Sequence, residues 1–99
     1  MAEVIWTGPA KRDLEDIIEF IAVDNSDAAS AVAKRIISHT RQLEKHPFSG
    51  SYVPEIGGTS IRQLIESPCR IFYRIVDERA YILQIRRFER ILRVSSLQD

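Results

Sequence analysis

The apolar residues of this chain change their spacing once, near residue 60, and that change constrains the fold more than any single motif. Before it, Leu14, Ile17, Ile18 and Ile21 recur at three- and four-residue intervals. Ala29, Val32, Ala33, Ile36, Thr40 and Leu43 then repeat the pattern, so each set lays one apolar stripe along a helix. After it, Ile61, Gln63 and Ile65 alternate with Arg62, Leu64 and Glu66, and Cys69, Ile71, Tyr73 and Ile75 alternate with Arg70, Phe72 and Arg74. A period of two marks strands. A third run, from Ala80 to Arg86, sets Tyr81, Leu83 and Ile85 against Ile82, Gln84 and Arg86.

Punctuation places the boundaries. Val4, Ile5 and Trp6 form a short β-rich run closed by Gly8-Pro9, which predicts an N-terminal strand. Thr7 or Gly8 caps the first helix, from about Pro9 to Val23, and Pro9 suits its first turn because its missing N–H has no intrahelical partner there. Residues 24–27 combine a break with cap chemistry, and the second helix then runs toward Pro47, making an antiparallel hairpin. Residues 46–59 hold two prolines and three glycines and read as a loop. Asp77, Glu78 and Arg79 turn the chain between the last two strands. The order β-α-α-β-β-β implies an α+β fold: an antiparallel sheet, a helical hairpin packed on one face, and a three-stranded meander. The first strand adds to an edge of the meander or pairs inside it, since its backbone groups need partners. Residues 88–99 suit a short helix or an extended tail equally.

A length of 99 residues fits one domain, at roughly 100–150 residues per domain. No window supplies the roughly 18–20 apolar residues of a membrane span, and the N-terminus lacks a basic stretch followed by an apolar one, so the chain is expected in the cytoplasm. Cys69 has no partner cysteine, and His39 and His46 add too few soft ligands for a zinc site, so neither metal nor cofactor is expected. The formal net charge is zero, which excludes a generic polyanion binder. Its distribution is uneven. Residues 1–50 carry six basic and eight acidic side chains, residues 51–99 eight and six, and every cation of the second half is an arginine. The planar arginine fork suits carboxylates and phosphates.

Several fragments, taken in order, resemble the RelE/ParE superfamily of toxins from bacterial type II toxin–antitoxin pairs. They are the opening strand Val4-Ile5-Trp6-Thr7, then Ala10, Asp13-Leu14 and Ile17, then Pro47-Phe48-Ser49-Gly50 and Val53-Pro54-Glu55. Ile61-Arg62-Gln63-Leu64 and the run from Ser67 to Ile75, with Arg70 three residues before Tyr73-Arg74, complete the series. The resemblance implies one of two activities. RelE-like chains are similar to ribosome-dependent mRNA endoribonucleases, which would place Arg70, Arg87 and Arg90 around a scissile phosphate. That chemistry needs an acid–base pair, yet residues 48–64 contain no lysine and neither tyrosine nor histidine follows Arg87. ParE-like chains resemble inhibitors of DNA gyrase that need no such pair, although Arg86-Arg87-Phe88 stands where many carry a histidine. The ParE-like branch is therefore the expected one: a non-enzymatic gyrase inhibitor serving plasmid or genomic stability and neutralised by a ParD-like antitoxin. No membrane contact and no sequence-specific nucleic-acid binding are expected.

Arg70, Arg86, Arg87 and Arg90 are the candidate target-binding residues, with solvated arginines paired to Glu66, Asp77 and Glu89 as the plainer alternative. Arg70 leads, because Cys69 and Ile71 should face the core while its own side chain emerges opposite. For the antitoxin the resemblance implies contacts on the hairpin and sheet edge, with Ala29, Ala33, Arg62 and Arg74 as candidates; the small alanine face of the second helix serves equally to let the hairpin pack. Asp13, Glu15, Asp16 and Glu19 read as the wet side of the first helix. His39 and His46 each stand alone, while Cys69, Trp6 and Tyr73 are assigned to the core.

Overall fold

The computed structural model describes residues 1–89. Strand β1 (Glu3–Trp6) ends at Thr7, whose extended backbone and hydroxyl start helix α1 (Gly8–Ala22): the oxygen accepts from the Ala10 amide at 3.3 Å. The same hydroxyl donates to the Ile82 carbonyl at 2.7 Å, so the cap also fixes the helix start against the sheet. Asn25 caps α2 (Ser26–Arg41) in the same way, accepting from the Ala28 amide at 2.9 Å. Both expected helices and both caps are present, and α2 continues into a 3₁₀ turn at Gln42–Glu44.

Four further strands follow: β2 (Ser51–Tyr52), β3 (Arg62–Glu66), β4 (Cys69–Val76) and β5 (Arg79–Arg87). Their order across one sheet is β1-β5-β4-β3-β2. Strands β2 to β5 are antiparallel to their neighbours, but β1 lies parallel to β5, with Val4 opposite Ala80 and Trp6 opposite Ile82. The sheet is therefore mixed. After the helical hairpin the chain re-enters the sheet at its far edge through β2, and the alternation from β2 to β5 leaves β5 running the same way as β1; of the two places open to it, edge or interior, β1 takes the edge, with parallel pairing. β2 lies inside the segment expected to be loop; two residues are too few to carry a readable period.

The β4–β5 hairpin turns on Asp77 and Glu78, both at positive φ (49° and 62°), a geometry whose twist matches that of the flanking strands. One bulge breaks its register between Phe72 and Tyr73, so that Phe72 faces Gln84 while Tyr73 faces Ile82. Leu83 is the additional residue, and beyond it the alternation changes phase. Ile82 and Ile85 both face the helices, rather than lying on opposite faces as strict alternation predicts.

The main core lies between the sheet and the helices, with Ile36, Leu43, Ile71, Tyr73 and Ile82 fully buried. A second, smaller cluster forms on the opposite face, where Val53 and Ile56 from the segment after β2 cover Ile61 and Phe72. Cys69 belongs to the main core and is inaccessible, as its sequence position suggests. Burial pushes its thiol pKa up to about 11 from an ordinary 9.0. The raised folded value sets the sign of the pH effect: the contribution is complete below pH 9, where both states are protonated, and is lost as pH climbs from 9 to 11. Unfolding free energies from urea titrations are expected to fall over that window by an amount on the order of 2 kcal/mol. In Cys69→Ala the same pH series should be markedly flatter, with a slope equal to wild type counting against the assignment.

Candidate functional site

On β4 the two-residue repeat places Arg70, Phe72 and Arg74 on the face away from the helices. Register brings Arg86, Gln84 and Tyr81 of β5 opposite them on that face. The structure thus unites two of the candidate target-binding residues, Arg70 and Arg86, as a direct cross-strand pair. Like charges in that position repel, and each guanidinium has acquired a carboxylate.

Arg70 is held on several sides. Its Nη1 and Nη2 donate to the two carboxylate oxygens of Glu55 at 2.6 and 2.9 Å. Its Nε donates to Gln63 Oε1 at 2.9 Å, and its guanidinium lies 4.9 Å from the centre of the Phe72 ring. The hydrogen bond from Arg70 holds the Glu55 carboxyl below its usual pKa, against a smaller opposing push from burial. Glu55 thus remains a carboxylate at neutral pH and is a weak proton acceptor. Arg86 donates from Nε to Gln84 Oε1 at 3.1 Å and places Nη1 3.5 Å from Asp13 Oδ1. Its other terminal nitrogen is buried and has no hydrogen-bond partner among the described residues; the same holds for Nε of Arg74.

Asp13 corrects the reading of helix α1. It was expected in solvent with Glu15, Asp16 and Glu19, yet only 8% of it is exposed. Its Oδ2 accepts from the Ile85 amide at 3.0 Å, at the edge of β5 beyond the reach of β1. His39 is likewise not alone: its Nδ1 sits 3.0 Å from Glu66 Oε1, and Arg35 approaches the other oxygen at 3.6 Å.

Arg87, one residue beyond Arg86, faces the helices instead. Its guanidinium stacks 3.6 Å from the centre of the Phe20 ring and pairs with Glu89 at 3.0 Å, leaving the residue 8% exposed. It does not share the Arg70 surface, because strand parity separates adjacent residues. Arg90 lies outside the described residues. The candidate antitoxin contacts are also dispersed. Ala29 is 2% exposed, so its small side chain serves packing within the chain and offers little surface to a partner. Ala33 is half-buried on α2, and Arg74 lies on the helix-free face. Arg62 lies at the β2 edge, donating to the Gly50 carbonyl at 2.7 Å with the Phe48 and Tyr52 rings 5.2 and 4.5 Å away.

Among the described residues no three His, Cys, Asp or Glu side chains meet as a metal site requires, and no helix is long and apolar enough to cross a membrane. The family model described as the ParE toxin of the type II toxin–antitoxin system parDE matches residues 4–92, a span that takes in both helices and every strand but for the first residue of β1. The chain belongs to that family. This ParE-family toxin is 28% identical over 92 residues to Toxin RelE2 of Caulobacter vibrioides, covering 92% of this chain and all of that protein. The solved chromosomal ParDE toxin–antitoxin system of P. aeruginosa superposes on it with a TM-score of 0.73 at 26% identity, over 90% of this chain and 98% of that one. The toxin–antitoxin complex RelBE2 of Mycobacterium tuberculosis gives 0.62 at 19% identity, over 87% and 96%, and so shares the fold. The ParE-family toxin is thus a type II toxin of the RelE/ParE superfamily, with the α+β architecture of its solved relatives.

Proposed function

We propose that this toxin inhibits DNA gyrase by binding it, without acid–base catalysis, and that a cognate ParD-like antitoxin neutralises it in the cytoplasm. Such a pair would stabilise a plasmid or genomic element. One observation carries the reading beyond the family match: Arg70 and Arg87 lie on opposite faces of the sheet. An endoribonuclease would need both around one phosphate, with a proton acceptor and donor in reach. The carboxylate beside Arg70 is instead held ionised by that arginine. Neither histidine lies on the Arg70 strand face: His39 belongs to α2 and His46 to the segment that follows it. Binding through arginines needs none of these groups.

The second reading, a RelE-like mRNA endoribonuclease, is favoured by the similarity to Toxin RelE2. Two assays on the purified toxin separate them. Loss of supercoiling with trapped gyrase cleavage complexes is the expected result. Cutting of mRNA at the ribosomal A site in a translation extract, with supercoiling intact, would sink the proposal.

A further inference from the structure

The Arg70 fork is already filled, and what fills it indicates what else it can hold. Gln63 Oε1 and the Phe72 ring orient the guanidinium independently of Glu55, so the fork keeps its aim when that carboxylate leaves. Glu55 arrives from a different kind of element. Its side chain is 43% exposed, while its neighbours Val53 and Ile56 are anchored in the small apolar cluster. Release therefore needs rotation of one side chain and no movement of the segment. The neighbourhood is cationic: Arg86 is the cross-strand neighbour of Arg70, and Arg74 lies further along the same face of β4.

We infer that Arg70 is a receptor for a carboxylate on an acidic partner peptide, and that Glu55 occupies it until the partner side chain takes its place. The two-oxygen contact of Glu55 is the geometry that a partner glutamate or aspartate would reproduce. Arg70 is only 18% exposed and the contact is bidentate, so what can displace Glu55 is a second carboxylate that makes both bonds, and not a lone hydrogen bond. Glu55 then acts as an internal competitor that lowers affinity for acidic segments and raises the discrimination between single carboxylates and well-placed ones. The inference does not depend on gyrase being the target, and its test contains neither gyrase nor ribosomes.

The probe is a fluorescein-labelled hexaglutamate peptide, titrated with full-length toxin at low salt and followed by anisotropy. Removing the competitor in Glu55→Gln is expected to tighten binding about fivefold. Glu55→Asp should tighten it too, since from the anchored segment a side chain one methylene shorter falls short of the fork while the net charge stays that of wild type. Adding Arg70→Gln to either variant should abolish the gain. Circular dichroism confirms folding, and Glu55→Asp carries the test if Glu55→Gln does not fold. Wild-type affinity in both folded variants, or a gain that survives loss of Arg70, overturns the proposal. So does unfolding of both, which would make Glu55 a structural strut. A gain for a 12-nucleotide single-stranded DNA but not for the peptide overturns the assignment to carboxylates.

Discussion

Gly50→Ala is expected to lower the thermal midpoint by roughly 10–20 °C, through a loss of about 3 kcal/mol. A Cβ at position 50 would lie 2.5 Å from the Tyr73 hydroxyl oxygen and 2.6 Å from the Gln63 carbonyl oxygen. Neither neighbour can yield. Gln63 is a backbone group of β3 paired with Ser51 of β2, so moving it breaks the sheet edge. Tyr73 is fully buried, accepts from the Gly50 amide at 2.9 Å and donates to the Pro47 carbonyl at 2.9 Å. Displacing its ring strands buried polar groups at both ends, each costing about 1–3 kcal/mol if left unpaired. The glycine is required for space, since its φ is not in the left-handed region. Gly57 makes the control: nothing lies within 4 Å of its would-be Cβ, its φ is −56°, and Gly57→Ala should leave the midpoint unchanged. The strain also has a local consequence, because the Gly50 carbonyl holds the Arg62 guanidinium. Equal midpoints for the two alanine variants would show that residues 47–50 can shift away from Tyr73 at little cost.

What the sequence revealed and what it hid divide by range. The helices were legible because their information is local: Thr7 and Asn25 are caps within three residues of the amides they serve. The exposed face of Arg70 followed from its flanking core residues, as local as a cap. Glu55 was hidden because it reaches Arg70 across 15 residues from a segment with no period. Arg87 does not join Arg86 on one surface because adjacency along a strand means opposite faces, and a basic run gives no parity until the register is known. The Leu83 bulge defeated strict alternation for a related reason: an additional residue is invisible until the partner strand is aligned. Parallel pairing of β1 was illegible for the same cause, since Glu3 pairs with Arg79, 76 residues further on.

Asp13 is the clearest case of a residue whose local pattern and tertiary role disagree, and its removal is expected to be costly. Thr7 makes the last contact of the β1 connection, donating its amide to the Ile82 carbonyl. Beyond that point the Ile85 amide faces the start of α1 and finds the Asp13 carboxylate. Arg86, whose side-chain root lies on the opposite face, extends to the same carboxylate. Asp13→Ala leaves a buried N–H unpaired and a half-buried guanidinium without its carboxylate, for a loss of about 3 kcal/mol. Asp13→Asn retains an acceptor for the amide and loses only the charge, so about half that loss is expected. Glu15→Ala, on the exposed side of the same helix, should stay within about 0.5 kcal/mol of wild type. Urea unfolding of the three variants gives the ordering directly. Because Asp13 also aims Arg86, Asp13→Asn at a temperature where it remains folded should weaken toxin activity more than Glu15→Ala does. If Asp13→Ala and Glu15→Ala unfold at the same urea concentration, the carboxylate does not hold the β5 edge, and the coupling of α1 to the arginine face fails with it.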